Sequence, residues 1–364
     1  MENIKVLIVD DTIVYRKIVG DVLKDIPGVE VVGSANNGKI ALSKITSLKP
    51  DLITLDIEMP EVNGIEVLQA LKNLAQPPIV IMLSTLTQQG SEMTIKALEL
   101  GAFDFIAKPS DGKMAENLQK VRDALRPIVE TLIRQKNTRL RILEKIKKSP
   151  GTSGPVSPKA APVITRSPVL RTKSEIVGIG ISTGGPNALA KMIPMLPGNL
   201  KVPVLIVQHM PPMFTASLAN SLNNKSDLEI REAKDGDILK PGIVLIAPGG
   251  KQMKILAGAD GITRKIKITD DPPENSCKPS VDYLFRSIAQ HYVGRSTGVI
   301  MTGMGSDGSK GLLQMKKNGS FVIAQNEETC TVYGMPKEPV ESGIADVIAP
   351  LEKIADEIVK SVII

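Results

Sequence analysis

The sequence predicts two α/β domains, each built on a doubly wound parallel sheet, joined by a linker. Three observations predict it. Apolar runs of about five residues recur along the chain with amphipathic segments between them, an alternation that implies parallel strands covered by helices on both faces. The alternation falls into two blocks, in keeping with a length of 364 residues. Between the blocks, residues 149–173 (SPGTSGPVSPKAAPVITRSPVLRTK) carry five prolines and no acid, and proline is excluded from helix and sheet interiors. The expected organisation is a first domain over 1–125, a basic helical and proline-rich linker over 126–174, and a second domain over 175–364.

The elements follow in order. In the first block the strands read KVLIV (5–9), VEVVGS (29–34), DLITL (51–55), IVIML (79–83) and FDFIA (103–107). The stretch QKVRDALRPIVETLIRQKNTRLRILEKIKK is helical in pattern, with a break expected near Pro127. In the second block strands are expected near 176–181, 203–208, 243–247, 297–301 and 321–324, with a hairpin near 251–268. No repeat of fixed period interrupts this pattern.

Composition narrows the function classes. Aromatic residues make up 2% of the chain and Trp is absent, which argues against stacking on nucleic-acid bases as the main activity. Two cysteines, Cys277 and Cys330, form neither a disulfide framework nor a CxxC metal site and suit a reducing cytosol. The N-terminus opens directly on a strand rather than on a leader, and no apolar run is long enough to span a membrane, so a cytoplasmic location is expected. Residues 131–174 hold eleven Lys/Arg and one acid, a charge of +10 that leaves −4 for the rest of a chain with net charge +6. The basic character is therefore local, and its simplest reading is a solvated face.

In open α/β sheets, ligands sit beyond the carboxyl ends of the strands. Asp10 and Asp11 end the first predicted strand, Asp56 the third and Ser84 the fourth, and Lys108 follows the fifth. Each alone reads as a cap or turn residue. Together, three carboxylates on one edge repel and need a cation, and hard oxygen ligands suit Mg²⁺. A lysine opposite suits a phosphoryl group, which makes Asp56 the candidate for an aspartyl-phosphate nucleophile.

The second block opens on VGIGISTGGPNAL (177–189). A dinucleotide fingerprint needs a third glycine where Thr183 stands, and PVLIVQHMPP supplies no acid at the next strand end. Two readings stay open: a plain strand-to-helix turn, and a turn that presents Ser182 as a nucleophile. The second needs a base. Of the two histidines, His291 falls near the end of an amphipathic helix, whereas His209 directly follows the next apolar strand. Asp307, in the glycine-rich loop of GVIMTGMGSDGSKG, meets the same edge rule and can orient an imidazole. Asp282 reads instead as a helix-start residue. The small residues of TGMGSDG also allow backbone N–H groups to face a developing oxyanion.

Two resemblances follow from these motifs. The pattern IVDD, TLDIEMP, LST and AKP resembles the receiver domain of bacterial response regulators over residues 1–125. That resemblance implies a receiver-type (βα)5 fold with Asp56 taking phosphate. It also implies Mg²⁺ held by Asp10, Asp11 and Asp56 with the Glu58 carbonyl, Lys108 paired with the phosphoryl group, and Ser84 as the switch. GISTGGPNAL, VQHMPPMFT, KPSVDYLF, MTGMGSDG and AQNEETCTVYGMPKEPV resemble the catalytic domain of the chemotaxis receptor methylesterase family, a Rossmann-like hydrolase domain, over residues 175–360. That resemblance implies Ser182 as nucleophile, His209 as general base and Asp307 as orienting acid. The Met304 backbone N–H is then an oxyanion donor and Thr183 a support.

The implied activity is hydrolysis of glutamate γ-methyl esters on chemoreceptor cytoplasmic helices, with glutamine deamidation as a second reaction and no cofactor for either. The implied phosphodonor is a chemotaxis sensor histidine kinase. The sequence departs from the family at Cys277, where a histidine is common. The alternative reading is a response regulator with a non-catalytic DNA- or protein-binding output domain, motivated by the basic segment 131–174. That segment is broken by proline, carries no helix-turn-helix pattern, and leaves the serine, histidine and aspartate unexplained.

Overall fold

The computed structural model describes residues 3–109, 113–148, 164–165 and 172–362, with backbone alone for 138–148 and 164–165. The chain divides into two compact units, Met1–Lys159 and Ala160–Ile364. Both carry parallel-sheet α/β folds, as the strand-and-helix alternation requires.

The first unit runs β1 (Ile4–Val9), α1 (Ile13–Lys24), β2 (Val29–Ala35), α2 (Gly38–Leu48), β3 (Leu52–Asp56), α3 (Gly64–Leu71), β4 (Ile79–Thr85), α4 (Gln88–Glu99), β5 (Asp104–Lys108) and α5 (Met114–Lys148). Its sheet order is β2-β1-β3-β4-β5, with every pair parallel. β3 is buried along its whole length, as a strand covered on both faces must be. The strand order reverses between β1 and β3, so Asp10 and Asp56 end the two strands that flank the switch point. α3 starts on a capping box in which Asn63 and Glu66 satisfy each other's backbone N–H groups. Its first residue, Gly64, lies so close to the Asp56 carbonyl that a Cβ would come within 2.2 Å of that oxygen.

Two expectations change here. α5 is one helix that passes through Pro127 without the expected break. Residues 126–136, expected to belong to the linker, pack on the first unit. Ile128, Val129 and Leu132 are buried in it, and Lys136 pairs with Asp51 at 3.0 Å. A proline inside a helix costs about 3 kcal/mol. Each buried aliphatic side chain returns about 1.5–3 kcal/mol, so the apolar stripe outweighs the proline. The proline-rich segment itself lies outside the described residues, apart from its C-terminal end and β6 (Ile164–Thr165).

The second unit continues with β7 (Ile176–Ile181), α6 (Gly185–Met192), β8 (Val204–Gln208), α7 (Phe214–Asn223), β9 (Glu229–Glu232), β10 (Ile243–Ile246), β11 (Gln252–Ala257), β12 (Arg264–Thr269), α8 (Val281–His291), β13 (Ser296–Ile300), α9 (Ser309–Lys317), β14 (Phe321–Gln325), α10 (Lys337–Glu341), β15 (Val347–Ala349) and α11 (Leu351–Ser361). The main sheet has the order β6-β15-β14-β13-β7-β8-β10-β9, parallel except where β6 pairs antiparallel with β15. β11 and β12 form the expected antiparallel hairpin. The sequence reading did not anticipate β9 and β15. They are four and three residues long, and β9 reads EIRE, with one fully buried side chain, so neither shows a strong apolar run.

α8 lies against β7, and this contact accounts for the glycines of VGIGIS. A Cβ on Gly178 would come within 2.5 Å of Ile288 Cδ1, and one on Gly180 within 2.3 Å of Val281 Cγ1. Gly178 and Gly180 thus let a helix approach the sheet closely.

Candidate functional site

Each unit gathers its chemistry at the carboxyl edge of its sheet. In the first, Asp10 and Asp56 are buried, Asp11 is exposed, and one carboxylate oxygen from each lies within 4.8 Å of the others. Lys108 Nζ bridges Asp10 Oδ2 at 2.8 Å and Asp56 Oδ2 at 2.7 Å. Burial alone would lower the Lys108 pKa, but the two carboxylates outweigh it and hold it above the ordinary lysine value. Burial, reinforced by Asp10 and only partly offset by Lys108, pushes the Asp56 carboxyl up to about 6. Three carboxylates against one ammonium leave negative charge that a divalent cation would neutralise, and an all-oxygen donor set fits Mg²⁺. Glu58, whose carbonyl the resemblance adds to this set, follows two residues after Asp56 with an exposed side chain.

Ser84 is buried at the end of β4, and among the described residues no hydrogen bond joins its hydroxyl to Lys108 or Asp56. It donates to the Gly90 carbonyl at 3.1 Å and accepts from Thr94 Oγ1 at 2.7 Å, both on α4. Two further residues at this edge were not expected from the sequence. The Tyr15 hydroxyl donates to the Pro109 carbonyl, and its ring centroid lies 4.8 Å from Lys108 Nζ. Arg16 Nη1 donates to the carbonyls of Asp10 and Asp11 at 2.8 and 2.9 Å. Both sit in the first turn of α1 with no local motif to mark them.

In the second unit, β13, β7 and β8 are adjacent, and the strand order reverses around β7. Ser182 follows β7, His209 follows β8, and the loop of Gly303, Met304 and Asp307 follows β13. The backbone holds the three segments side by side. Ser182 N–H donates to the Thr302 carbonyl at 3.0 Å, and His209 N–H to the Ile181 carbonyl at 3.2 Å. Gln208 Nε2 donates to the Ser182 carbonyl at 3.0 Å. Gly303 approaches Ser182 so closely that a Cβ there would lie 2.8 Å from Ser182 Cβ. Thr183 is buried, and its carbonyl accepts from the Thr302 hydroxyl at 2.9 Å. Met304 is half-buried in the loop beyond.

His209 Nε2 and Asp307 Oδ2 are 2.8 Å apart. The other ring nitrogen, Nδ1, lies 3.7 Å from Cys277 Sγ. Among the described residues, no hydrogen bond joins the Ser182 hydroxyl to His209. Asp307 is buried and heavily hydrogen-bonded. Oδ2 accepts from Val281 N–H at 2.7 Å, and Oδ1 accepts from Asn275 Nδ2 at 2.8 Å, Ser280 Oγ at 2.9 Å and Asp282 N–H at 3.2 Å. The N-terminus of α8 thus cradles this carboxylate, where the helix dipole favours negative charge. Burial alone would raise the Asp307 pKa, but the bonds from His209, Val281 and Asn275 hold it below the ordinary range. The imidazole responds in the opposite sense. Burial works against its charged form, and the Asp307 bond, aided by Cys277, raises its pKa above the usual histidine value.

The CheB methylesterase family model matches residues 177–358, and the response regulator receiver domain model matches residues 6–120. A protein-glutamate methylesterase/protein-glutamine glutaminase of Desulfotalea psychrophila is 56% identical over 362 residues, covering 100% of this chain and 99% of that protein. The chain belongs to the CheB methylesterase family. The relative of the same name from Bacillus subtilis is 44% identical over 360 residues, covering 99% of this chain and 98% of that protein. The crystal structure of the Thermotoga maritima CheB methylesterase catalytic domain matches with 42% identity and a TM-score of 0.50, covering 52% of this chain and 99% of that one.

Membership in the CheB methylesterase family does not favour the non-catalytic output domain. The basic segment that motivated it lies largely outside the residues whose side chains are described. His291 closes α8, the helix whose opposite end holds Asp307, so it stands about 16 Å away along the helix axis. Asp282 is a first-turn residue of α8 whose carboxylate accepts from Gly311 N–H at 2.7 Å. The bonds by which Asn275 and Ser280 fix Asp307 span 32 and 27 residues, so no local pattern shows them, although Ser280 itself lies in the KPSVDYLF motif.

Proposed function

We propose that the protein removes methyl groups from glutamate γ-methyl esters on the cytoplasmic helices of chemoreceptors, and deamidates receptor glutamines, through Ser182, His209 and Asp307. The observation that carries this reading is the convergence of these residues on the ends of three adjacent strands, with the imidazole already tied to Asp307. Ser182 Oγ attacks the ester carbonyl as His209 takes its proton. With Nε2 committed to Asp307, Nδ1 is the accepting nitrogen. His209 returns the proton to the departing methoxide as methanol, and water then cleaves the acyl-serine to glutamate. An amide differs in its leaving group, so the same steps release ammonia from glutamine. Backbone N–H groups of the loop that includes Met304 stabilise the oxyanion, and Thr183 supports the turn. The chemistry needs no cofactor. No described helix is long and apolar enough to cross a membrane, and free Cys277 and Cys330 suit a cytoplasmic protein.

In the first unit, Asp56 takes a phosphoryl group from a sensor histidine kinase. Asp10, Asp11 and Asp56, with the Glu58 carbonyl, would hold Mg²⁺, which supplies positive charge at the transferring phosphoryl group. Lys108 remains as the fixed cation beside it. Ser84 serves as the switch by exchanging its bonds to α4 for the phosphoryl group.

The test is methanol release from methylated receptor fragments, with and without a small phosphodonor and Mg²⁺. Phosphodonor should label the full chain and raise its rate by about 5–150-fold, the usual span of a coupling between two sites. Asp56→Asn should abolish both the label and the response. The label should survive mild acid and be lost to hydroxylamine, as an acyl phosphate is. Equal labelling of Asp56→Asn would place the acceptor elsewhere.

Acidity should oppose the reaction. His209 accepts a proton only when neutral, and its pKa lies above the ordinary value of about 6.5. kcat/KM should therefore climb with pH, with its acid limb centred above that value. An acid limb centred below it would exclude His209, bonded as it is here, as the base.

A further inference from the structure

We propose that His209 Nδ1 and Cys277 Sγ form a binding site for a thiophilic divalent cation, with Zn²⁺ the best fit, and that its occupation shuts the esterase centre. This inference rests on the assignment of His209 as base only for its consequence, not for the site itself. The two donors come from separate segments, 68 residues apart, and stand 3.7 Å from one another. A tetrahedral Zn²⁺ with bonds of about 2.05 Å to nitrogen and about 2.3 Å to sulfur spans about 3.6 Å between those atoms. The observed separation therefore matches that of two ligands of one such ion.

The surroundings match a metal-bound histidine. The ring nitrogen away from the ion is held by a carboxylate, Asp307 Oδ2, at 2.8 Å. That bond fixes the ring orientation and the tautomer that leaves a lone pair on Nδ1. Asp307 in turn is anchored by Asn275, Ser280 and the first N–H groups of α8. Cys277 is held by a tight turn in which it and Glu274 exchange backbone hydrogen bonds at 2.7 and 3.1 Å. Its thiol also lies 3.4 Å from the Asn275 carbonyl, a contact that the thiolate gives up when the proton leaves and the metal binds. Both ligands are partly exposed, so an ion can enter and water can fill the remaining positions. Softness separates this pair from the Asp10, Asp11 and Asp56 cluster. Imidazole and thiolate select Zn²⁺, whereas an all-carboxylate set selects Mg²⁺, so millimolar Mg²⁺ does not compete for the second unit.

A Zn²⁺ ion on Nδ1 removes the lone pair that would accept the Ser182 proton. General-base assistance is worth about 10²–10⁴, so saturating Zn²⁺ should lower methanol release by about 100-fold or more, and chelation should restore it. The binding readout is independent of activity. Co²⁺ added to the full chain should give the near-ultraviolet absorption of a cobalt–thiolate bond. That band should vanish in Cys277→Ser and in His209→Gln and persist in Cys330→Ser. Relative to its own zinc-free rate, Cys277→Ser should lose far less methanol release to Zn²⁺ than the parent does. A thiolate band that survives Cys277→Ser, or no band in the parent, overturns the site. Zn²⁺ inhibition unchanged in Cys277→Ser overturns its role in the esterase centre. A parent that binds Co²⁺ through Cys277 but releases no methanol even without Zn²⁺ would leave the metal site standing and refute the methylesterase reading.

Discussion

Ser182→Ala should abolish methyl-ester hydrolysis while leaving the fold intact. Removing the nucleophile of a serine hydrolase costs about a million-fold in kcat. The fold should be spared because the structural bonds of this residue belong to its backbone. Its N–H reaches Thr302, and its carbonyl accepts from Gly185 N–H at 2.7 Å and from Gln208 Nε2. All three persist in alanine. The residue is partly exposed, and among the described residues its hydroxyl makes no bond to His209, so its loss strands no buried partner. Methanol release and thermal unfolding, measured side by side, separate the two effects. Activity within about tenfold of the parent, against the expected million-fold loss, would remove Ser182 from the mechanism.

Asp307→Asn should cost activity and stability together. An amide in place of the carboxylate favours the wrong imidazole tautomer, a change that costs about 10⁴ in the best-studied triad. Here the side chain has a further difficulty. Both oxygens accept: Oδ2 from His209 and Val281 N–H, and Oδ1 from Asn275, Ser280 and Asp282 N–H. Whichever position receives the amide nitrogen then faces donors with a donor. Each buried group left unpaired costs about 1–3 kcal/mol, so the midpoint of unfolding should fall as well. His209→Gln should lose activity on a similar scale, and His291→Gln should lose little, because His291 sits at the far end of α8. A His291→Gln variant that is the more damaged of the two would reverse the choice of base.

Much of the site was legible because strand ends are legible. Asp10, Asp56, Lys108, Ser182, His209 and Asp307 each follow an apolar run of strand length, and parallel sheets bring such ends to one edge. The rule needs only local pattern, and the described structure gathers these residues as two groups at the two edges. Ser84 shows its limit. Its position follows from the strand, but the direction of its hydroxyl is set by Gly90 and Thr94 on the next helix. The contacts of Tyr15, Arg16, Asn275 and Ser280 were not legible, because they follow from helix approach and loop path rather than from neighbours in sequence.

By itself, then, the sequence determined the two parallel-sheet domains, the residues at their carboxyl edges and the family, since periodicity and motif order are local properties of the chain. Only the tertiary structure decided the rest. It carried α5 through Pro127, because burial of one apolar stripe outweighs the local cost of a proline. It turned Gly178 and Gly180 into seats for Val281 and Ile288, about 100 residues away. It set Cys277 against His209, a contact that depends on a loop folding back across 68 residues of chain. Such contacts depend on which surfaces meet once the strands have assembled, and no window of sequence contains both partners.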